Sequence, residues 1–316
     1  MKPENAATIG EATTILGDGG LVAFPTETVY GLGADARNNK AVAHIFAAKK
    51  RPQFNPLIVH VKDIAAAAHY ANFDNRAKAL AVRYWPGPLT LVLPRRGDSG
   101  LSLLVSAGLD TVALRVPAQA CAQALLAAFD GPIAAPSANA SGAVSSTRAE
   151  HVMQSLGGEP DLIIDDGPCS IGLESTVVDA SGADLCVLRH GAVTLEELRT
   201  EFGSVSDATA EETANAVKSP GMLSRHYATA LPLRLDAVSA EPGEAYLAFG
   251  ETVPPSVVKI KNLSPTGDLT EAAANLFDML RALDSPEYAA IVVAPIPNEG
   301  LGRAINDRLR RAATPA

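Results

Sequence analysis

The chain has 316 residues, 47% of them hydrophobic and 19% charged, with a formal net charge of −9 at pH 7. That length and apolar content bury a substantial core and suit two domains better than one, which excludes a disordered protein. The acidic balance argues against a surface that holds nucleic acid by diffuse electrostatics, and so against direct tRNA or RNA binding, but it leaves room for a local cationic cavity. No apolar run approaches the roughly 20 residues that span a membrane. The first residues, with Glu4 and Asn5 and no apolar stretch before Thr8, carry no signal-peptide pattern, so the expected location is cytoplasmic. Cys121, Cys169 and Cys186 stand far apart with no Cys-x-x-Cys pair, as expected of reduced core thiols.

In chain order, residues 8–20 carry apolar positions at helical spacing and stop at Gly19-Gly20, a helix C-terminal signal. A short strand over 21–24 ends at Pro25. A helix follows over 40–50, a buried strand over 57–61, and helices over 64–70 and 75–84. Pro86-Gly87-Pro88 breaks the chain before a strand over 89–93. Strands over 112–116 and 133–135 flank a helix over 118–129, and a helix over 149–156 precedes strands over 163–164, 175–178 and 186–188. A small helix over 195–201 closes the series. Helices mixed with strands at uneven intervals predict an α/β or α+β sheet of mixed direction. From 204 to 219 the composition turns to Ser, Thr, Ala, Asp and Glu, a linker by composition. Beyond it, strands over 231–235, 245–249, 257–260 and 289–293 and helices over 269–283 and 302–312 form a second, smaller α/β unit.

The most telling segment is 49–60. Lys49, Lys50 and Arg51 sit where a helix ends, Pro52 to Pro56 forbid its continuation, and an apolar strand then ends in His60. Cations so placed fit a multiply charged phosphate, and they equally fit plain complementation of a helix C-terminus. A second cluster, Phe24 to Gly33, runs a strand into Pro-Thr-Glu-Thr and then Gly-x-Gly, at a sheet edge where ligands bind or as an ordinary turn. It lacks the third glycine of a dinucleotide fingerprint, and the chain has no Walker lysine. A third cluster follows a short strand: Ala135-Pro136-Ser137-Ala138-Asn139-Ala140-Ser141-Gly142, then Ser145, Ser146 and Thr147 ahead of Glu150. Its small residues let a phosphate or ribose approach backbone N–H groups, and Ser145 to Thr147 would also cap the next helix. Arg115 interrupts an apolar strand, a costly place for a cation without an anionic partner, whether a ligand or one of the chain's own acids. No nucleophile triad is evident.

Five blocks together carry a resemblance: Phe24 to Gly33; Lys49-x-Arg51-Pro-x-x-Asn55-Pro-Leu-Ile-Val-His60; Trp85-Pro-Gly-Pro-Leu-Thr90; Ala135-Pro-Ser-Ala-Asn-x-Ser-Gly142; and Glu174-Ser-Thr-Val-Val-Asp179. In this order they resemble the YrdC-like domain of threonylcarbamoyl-AMP synthase over about residues 8–200. The Ser219-Pro-Gly-Met…His226-Tyr227 stretch and the tail from Glu299 to Arg310 are similar to the long form of that family, which adds a C-terminal accessory domain. The resemblance implies a YrdC-like twisted mixed sheet with a large cavity over 1–205, a linker or lid over 206–230, and a small Rossmann-like α/β domain over 231–316.

It also implies an activity: L-threonine, bicarbonate and ATP, with Mg2+ as the companion of ATP, give L-threonylcarbamoyl-AMP and pyrophosphate, and the product feeds downstream tRNA threonylcarbamoyl-transfer proteins. By motif position, Lys49, Arg51 and Asn55 would hold the ATP phosphates and carry catalysis through the two cations. Ser137, Asn139, Ser145, Arg189 and Tyr227 would complete the nucleotide site. Thr28, His60, Arg115, Ala135 and Ser175 would hold threonine, Arg115 gripping its carboxylate with two N–H groups. No protein ligand for the metal is expected. Lys50 keeps the helix-end reading. The linker departs from the family in carrying Ser224 where an aromatic is common, and residues 215–228 are expected to close over the cavity. Two other readings are a carbamoyltransferase of the hydrogenase-maturation type, whose additional acylphosphatase-like and cysteine-rich zinc segments are missing here, and an RNA-binding module.

Overall fold

The computed structural model describes residues 1–51, 55–208, 226–251 and 259–314. Within them a large sheet has eleven strands: β1 (Lys2–Pro3), β2 (Val22–Phe24), β3 (Gly31–Asp35), β4 (Ile58–His60), β5 (Leu89–Pro94), β6 (Thr111–Arg115), β7 (Ile133–Ala134), β8 (Leu162–Asp165), β9 (Thr176–Asp179), β10 (Leu185–Arg189) and β11 (Val205–Asp207). Their order is β1-β8-β2-β3-β7-β4-β6-β5-β9-β10-β11. Parallel pairs such as β4 with β6 and β5 with β9 alternate with antiparallel ones such as β2 with β3 and β5 with β6, the mixed direction expected. Helices α1 (Ala6–Gly17), α2 (Asn39–Lys49), α3 (Ile64–Ala67), α4 (Asn75–Tyr84), α5 (Ala120–Phe129), α6 (Ala149–Leu156) and α7 (Leu195–Phe202) belong to this unit. Their starts follow local chemistry: Asn5, Asn38, Asp63 and Asp74 each accept a first-turn N–H, and Thr194 with Glu197 forms a capping box.

The period-two alternation of the strands decides where the cavity lies. Val59 of β4, Leu89, Leu91 and Leu93 of β5, and Val112 and Leu114 of β6 join the main core with Val42 and Ile45 of α2, Leu80 of α4 and Leu198 of α7. Their alternates, Ile58, Val92, Ala113 and Val177, form a separate small cluster on the other face. His60 and Arg115 are the next outward positions on that second face, and Ser175 and Thr90 flank them. Those polar side chains are therefore buried without entering the main core.

The second unit is an all-parallel sheet of β12 (Leu233–Arg234), β13 (Glu244–Ala248), β14 (Lys259–Asn262) and β15 (Ala290–Val293), ordered β12-β15-β13-β14. It packs with α8 (Leu269–Leu283) and α9 (Leu301–Ala312). Its hydrophobic cluster reaches into the first unit, because Val29, Val144, Leu173 and Tyr227 pack with Leu276, Phe277 and Leu280. Ion pairs Arg148–Asp278 at 2.9 Å, Arg303–Glu196 at 3.0 Å and Arg308–Glu174 at 3.1 Å cross the same boundary. At Gly172, with φ of +74°, a Cβ would lie 2.5 Å from the Ala274 carbonyl oxygen, so the junction tolerates only glycine there.

Several expectations are corrected. Gly31 and Gly33 are not in a turn: they lie in β3, at the middle of the sheet, where a Cβ on Gly33 would lie 2.8 Å from both Ile133 and Phe24. Strand β11 falls inside the stretch read as linker from 204, and pairs with β10. The helix expected over 64–70 is one turn, Ile64–Ala67. Ser145 to Thr147 do not cap α6, whose N-cap is Arg148 with no side-chain hydrogen bond. The turn at 52–54, most of the linker including Ser224, and the start of the strand at 257–260 lie outside the described residues. No helix among the described residues is long and apolar enough to cross a membrane.

Candidate active site

The second face of the sheet floors a cavity lined from eight places in the chain. The β2–β3 loop supplies Thr26 and Thr28, β4 supplies His60, β6 supplies Arg115, the β7 loop supplies Ala135 and Ser137, the entry to β9 supplies Glu174 and Ser175, and β10 supplies Arg189. Arg51, just past α2, and His226 and Tyr227 complete the lining.

At one end, His60 and Arg115 are register neighbours across β4 and β6. Arg115 donates to Glu27 Oε1 at 2.5 Å, to Thr28 Oγ1 at 2.8 Å and to the Gly87 carbonyl at 3.2 Å, and the Ala118 N–H binds the other Glu27 oxygen at 3.1 Å. The buried arginine thus has an internal acid, one of the two partners its position called for, while each terminal nitrogen keeps a second N–H. Thr26 ties the loop together through Thr28 Oγ1 at 2.8 Å and the Val29 carbonyl at 2.7 Å. His60 is held neutral: burial, then Arg115, lowers it to about 3, and its Nδ1 has no partner. Ser175 shares a hydrogen bond of 2.7 Å with Thr90.

At the other end the cations gather. Lys49, the last residue of α2, is 1% exposed, and its ammonium donates to the carbonyls of Ser137, at 2.5 Å, and Asn139. Burial, then Arg51, pulls it well below an ordinary lysine. Arg51 donates to the Pro56 carbonyl at 3.1 Å and leaves Nε without a partner; burial, then Arg189, lowers it to about 10. No described carboxylate lies within ion-pair distance of Arg51. Arg189 donates to the Ser175 carbonyl and hydroxyl at 2.9 and 3.1 Å. Glu174 accepts from Ser145 Oγ at 2.5 Å and from Arg308 Nε at 3.1 Å. Burial would raise its pKa, but Arg308 and then Arg189 outweigh it and leave the carboxyl below its ordinary value. Lys50 is exposed and forms the left-handed C-cap of α2 at φ +51°.

Of the candidates named from sequence, Thr28, Arg51, His60, Arg115, Ala135, Ser137, Ser175, Arg189 and Tyr227 line the cavity. Lys49, Asn55, Asn139 and Ser145 are buried and are not part of its lining. Asn139 donates to the Ala140 and Ala143 carbonyls at 2.9 and 3.0 Å, shaping the loop through its amide, while its Oδ1 and that of Asn55 are unpartnered. The sequence reading gave no role to Thr26, Glu27, Glu174, His226 or Arg308. Arg308 carried a usable signal: it falls on the buried stripe of α9 with Ala304, Ile305, Leu309 and Ala312, where a cation needs a partner.

Residues 14–191 match the family profile described as "Telomere recombination", which groups Sua5, yciO and yrdC, and residues 193–314 match "Threonylcarbamoyl-AMP synthase, C-terminal domain". The chain belongs to the threonylcarbamoyl-AMP synthase family. It is 40% identical to the Threonylcarbamoyl-AMP synthase of Bacillus subtilis (strain 168), over 98% of this chain and 94% of that one. With the synthase of Schizosaccharomyces pombe it shares 35% identity over 98% of this chain and 88% of the other. The crystal structure of Pyrococcus abyssi Sua5 complexed with L-threonine superposes with a TM-score of 0.90 at 36% identity, covering 99% of this chain and 96% of that one. HypF, solved in a phosphate- and nucleotide-bound form, shares the fold alone, at 20% identity over 59% of this chain.

Proposed function

We infer that this protein is an L-threonylcarbamoyladenylate synthase: it joins L-threonine, bicarbonate and ATP into L-threonylcarbamoyl-AMP and releases pyrophosphate. The observation that carries the reading at the level of this chain is a cationic cavity in an acidic protein, with a charge-balanced pocket at one end and Arg51 beside Lys49 and Arg189 at the other. Threonine occupies the balanced end. Its carboxylate takes the remaining N–H groups of Arg115, its hydroxyl meets the hydroxyl cluster of Thr28, Ser175 and Thr90, and Ala135 walls the pocket. Valine in that place leaves the hydroxyls unpaired, which costs about 1–3 kcal/mol.

The amine of threonine must be neutral to take up CO2, so a neutral His60 beside it is a better neighbour than an imidazolium. The resulting carbamate oxygen attacks the α-phosphorus of ATP, and pyrophosphate leaves as the P–O bond to the β-phosphate breaks. Such a step needs positioning and charge neutralisation more than a strong base. Arg51 and Arg189 supply the charge, Tyr227 covers the nucleotide, and Ser137 lends its hydroxyl. Lys49 acts from beneath: it pins the carbonyls of Ser137 and Asn139, and so shapes the loop that faces the phosphates. Asn55, Asn139 and Ser145 hold the same end of the site. Mg2+ arrives with ATP, bound by phosphates and water. Glu27 and Glu174, the carboxylates beside the cavity, are already held by arginines, which fits a metal carried by the substrate. The labile product passes to proteins that transfer the threonylcarbamoyl group to tRNA.

The test is incubation with ATP, Mg2+, bicarbonate and L-threonine. Pyrophosphate release that requires both threonine and bicarbonate is expected. Release indifferent to either one would overturn the reading.

A further inference from the structure

Three site-bearing segments share a pattern. Val29 follows Thr28, Val144 precedes Ser145 and Leu173 precedes Glu174, and each of these apolar neighbours is embedded in the hydrophobic cluster of the second unit with Leu276, Phe277 and Leu280. Arg281 of α8 donates to the Val144 carbonyl and, at 3.4 Å, to that of Ser145. From α9, Arg308 is wholly buried and reaches further: Nε to Glu174 at 3.1 Å and Nη1 to the His190 carbonyl at 2.6 Å, with the guanidinium 5.7 Å from the centre of the Tyr227 ring. Tyr227 in turn stacks on Phe277 of α8, with centroids 5.3 Å apart. One side chain of the accessory unit therefore touches a cavity-lining carboxylate, the backbone beside Arg189, and a cavity-lining ring.

We propose that Arg308 is a positioning residue for adenylation, through which the accessory domain holds Glu174 ionised and the nucleotide end of the cavity in register. Glu174 lies between Arg308 on one oxygen and the Ser145 hydroxyl on the other, with Arg189 and His226 also facing it. Without Arg308, the buried carboxylate loses its ion pair, and Ser145, Arg189 and His226 are left to oppose a burial that favours the protonated form. A protonated Glu174 carries no charge, accepts more weakly from Ser145, and no longer balances Arg189. The fork also explains why this position is arginine: one guanidinium spans Glu174 and the His190 carbonyl together, which a lysine ammonium cannot do in the same geometry. The inference rests on the adenylation reading of this cavity.

The experiment uses the full chain and compares wild type with Arg308→Met, Arg308→Met/Glu174→Gln and Arg308→Lys, following threonine-dependent pyrophosphate release from about pH 5.5 to 9 beside thermal melts. In wild type Glu174 stays ionised across this range and adds no acid limb. Arg308→Met should lose roughly 100-fold in kcat/KM for ATP near pH 7 and gain an acid limb. The double variant, with no carboxyl left at position 174 to titrate, should lose that limb and regain part of the rate. If Arg308→Met does not fold, Arg308→Lys decides: it should fold and lose about tenfold in kcat/KM without an acid limb. A folded Arg308→Met with a wild-type pH profile, or an Arg308→Lys with wild-type kinetics, overturns the inference. A wild type that releases no pyrophosphate would instead sink the adenylation reading itself.

Discussion

The two ends of the cavity solve the problem of buried charge differently. At the β4–β6 end, Arg115 and Glu27 neutralise one another at 2.5 Å and His60 is uncharged, so this pocket is balanced in charge without a ligand. At the α2 end, Lys49, Arg51 and Arg189 crowd together, each pushed down by burial, and the nearby carboxylate Glu174 is already held by Arg308. Cations gathered in a low-dielectric site cost stability, and a polyanion offsets that cost on arrival. The first end suits a zwitterion such as an amino acid; the second waits for phosphates.

The sharpest break of this comparison is Arg51→Ala. Loss of a charge-stabilising donor should lower pyrophosphate release on the order of 10³-fold. The folded state should be no less stable, because Lys49 and Arg189 lose a repelling neighbour; a melting curve beside the rate measurement checks both. Stability loss with turnover intact would return Arg51 to the role of a helix cap.

Arg115→Met should act on the fold first. It strands Glu27 in the interior, at a cost of about 3–5 kcal/mol in a denaturant titration. Adding Glu27→Gln should recover much of that stability while threonine binding stays weak, since the cation that meets the carboxylate is still missing. If the double variant binds threonine normally, Arg115 is only half of a structural pair.

A smaller effect concerns protons. Lys49 lies well below an ordinary lysine because of burial and Arg51, so incoming phosphates should raise it again. ATP binding at a pH where Lys49 is partly deprotonated should therefore take up part of a proton, read by calorimetry in buffers of different ionisation enthalpy. Lys49→Met should abolish the uptake; uptake unchanged in that variant would place its source elsewhere. Smallest of all is Lys50→Gly. With Lys50 at φ +51°, glycine removes strain worth about 1 kcal/mol. ATP affinity should stay within a few-fold, and a large drop would make Lys50 a third phosphate ligand.

The parts legible in the sequence were those governed by local chemistry. The strand carrying Val59 and His60, the α2 helix with its cation end, and Arg115 amid apolar neighbours all announce themselves, because a polar side chain on a buried strand needs a reason. Strand β3 was hidden, since glycine at 31 and 33 answers to side chains arriving from β2 and β7 rather than to a turn. The strands β1 and β11 depend on pairing with β8 and β10, which are far from β1 and separated by a helix from β11, and no short pattern reports that. Ligand-like residues could be named from their types and positions. Their partners could not: Glu27 for Arg115, Ser145 and Arg308 for Glu174, and two carbonyls for Lys49 are choices made by tertiary packing.

The most direct test of the two-ended cavity is calorimetric titration of ATP and of L-threonine, separately, into Arg51→Ala and into Arg115→Met/Glu27→Gln. Arg51→Ala should lose ATP and keep threonine within a few-fold, and the double variant should do the reverse. Equal losses of both ligands in both proteins would contradict the division of the cavity into a phosphate end and an amino-acid end.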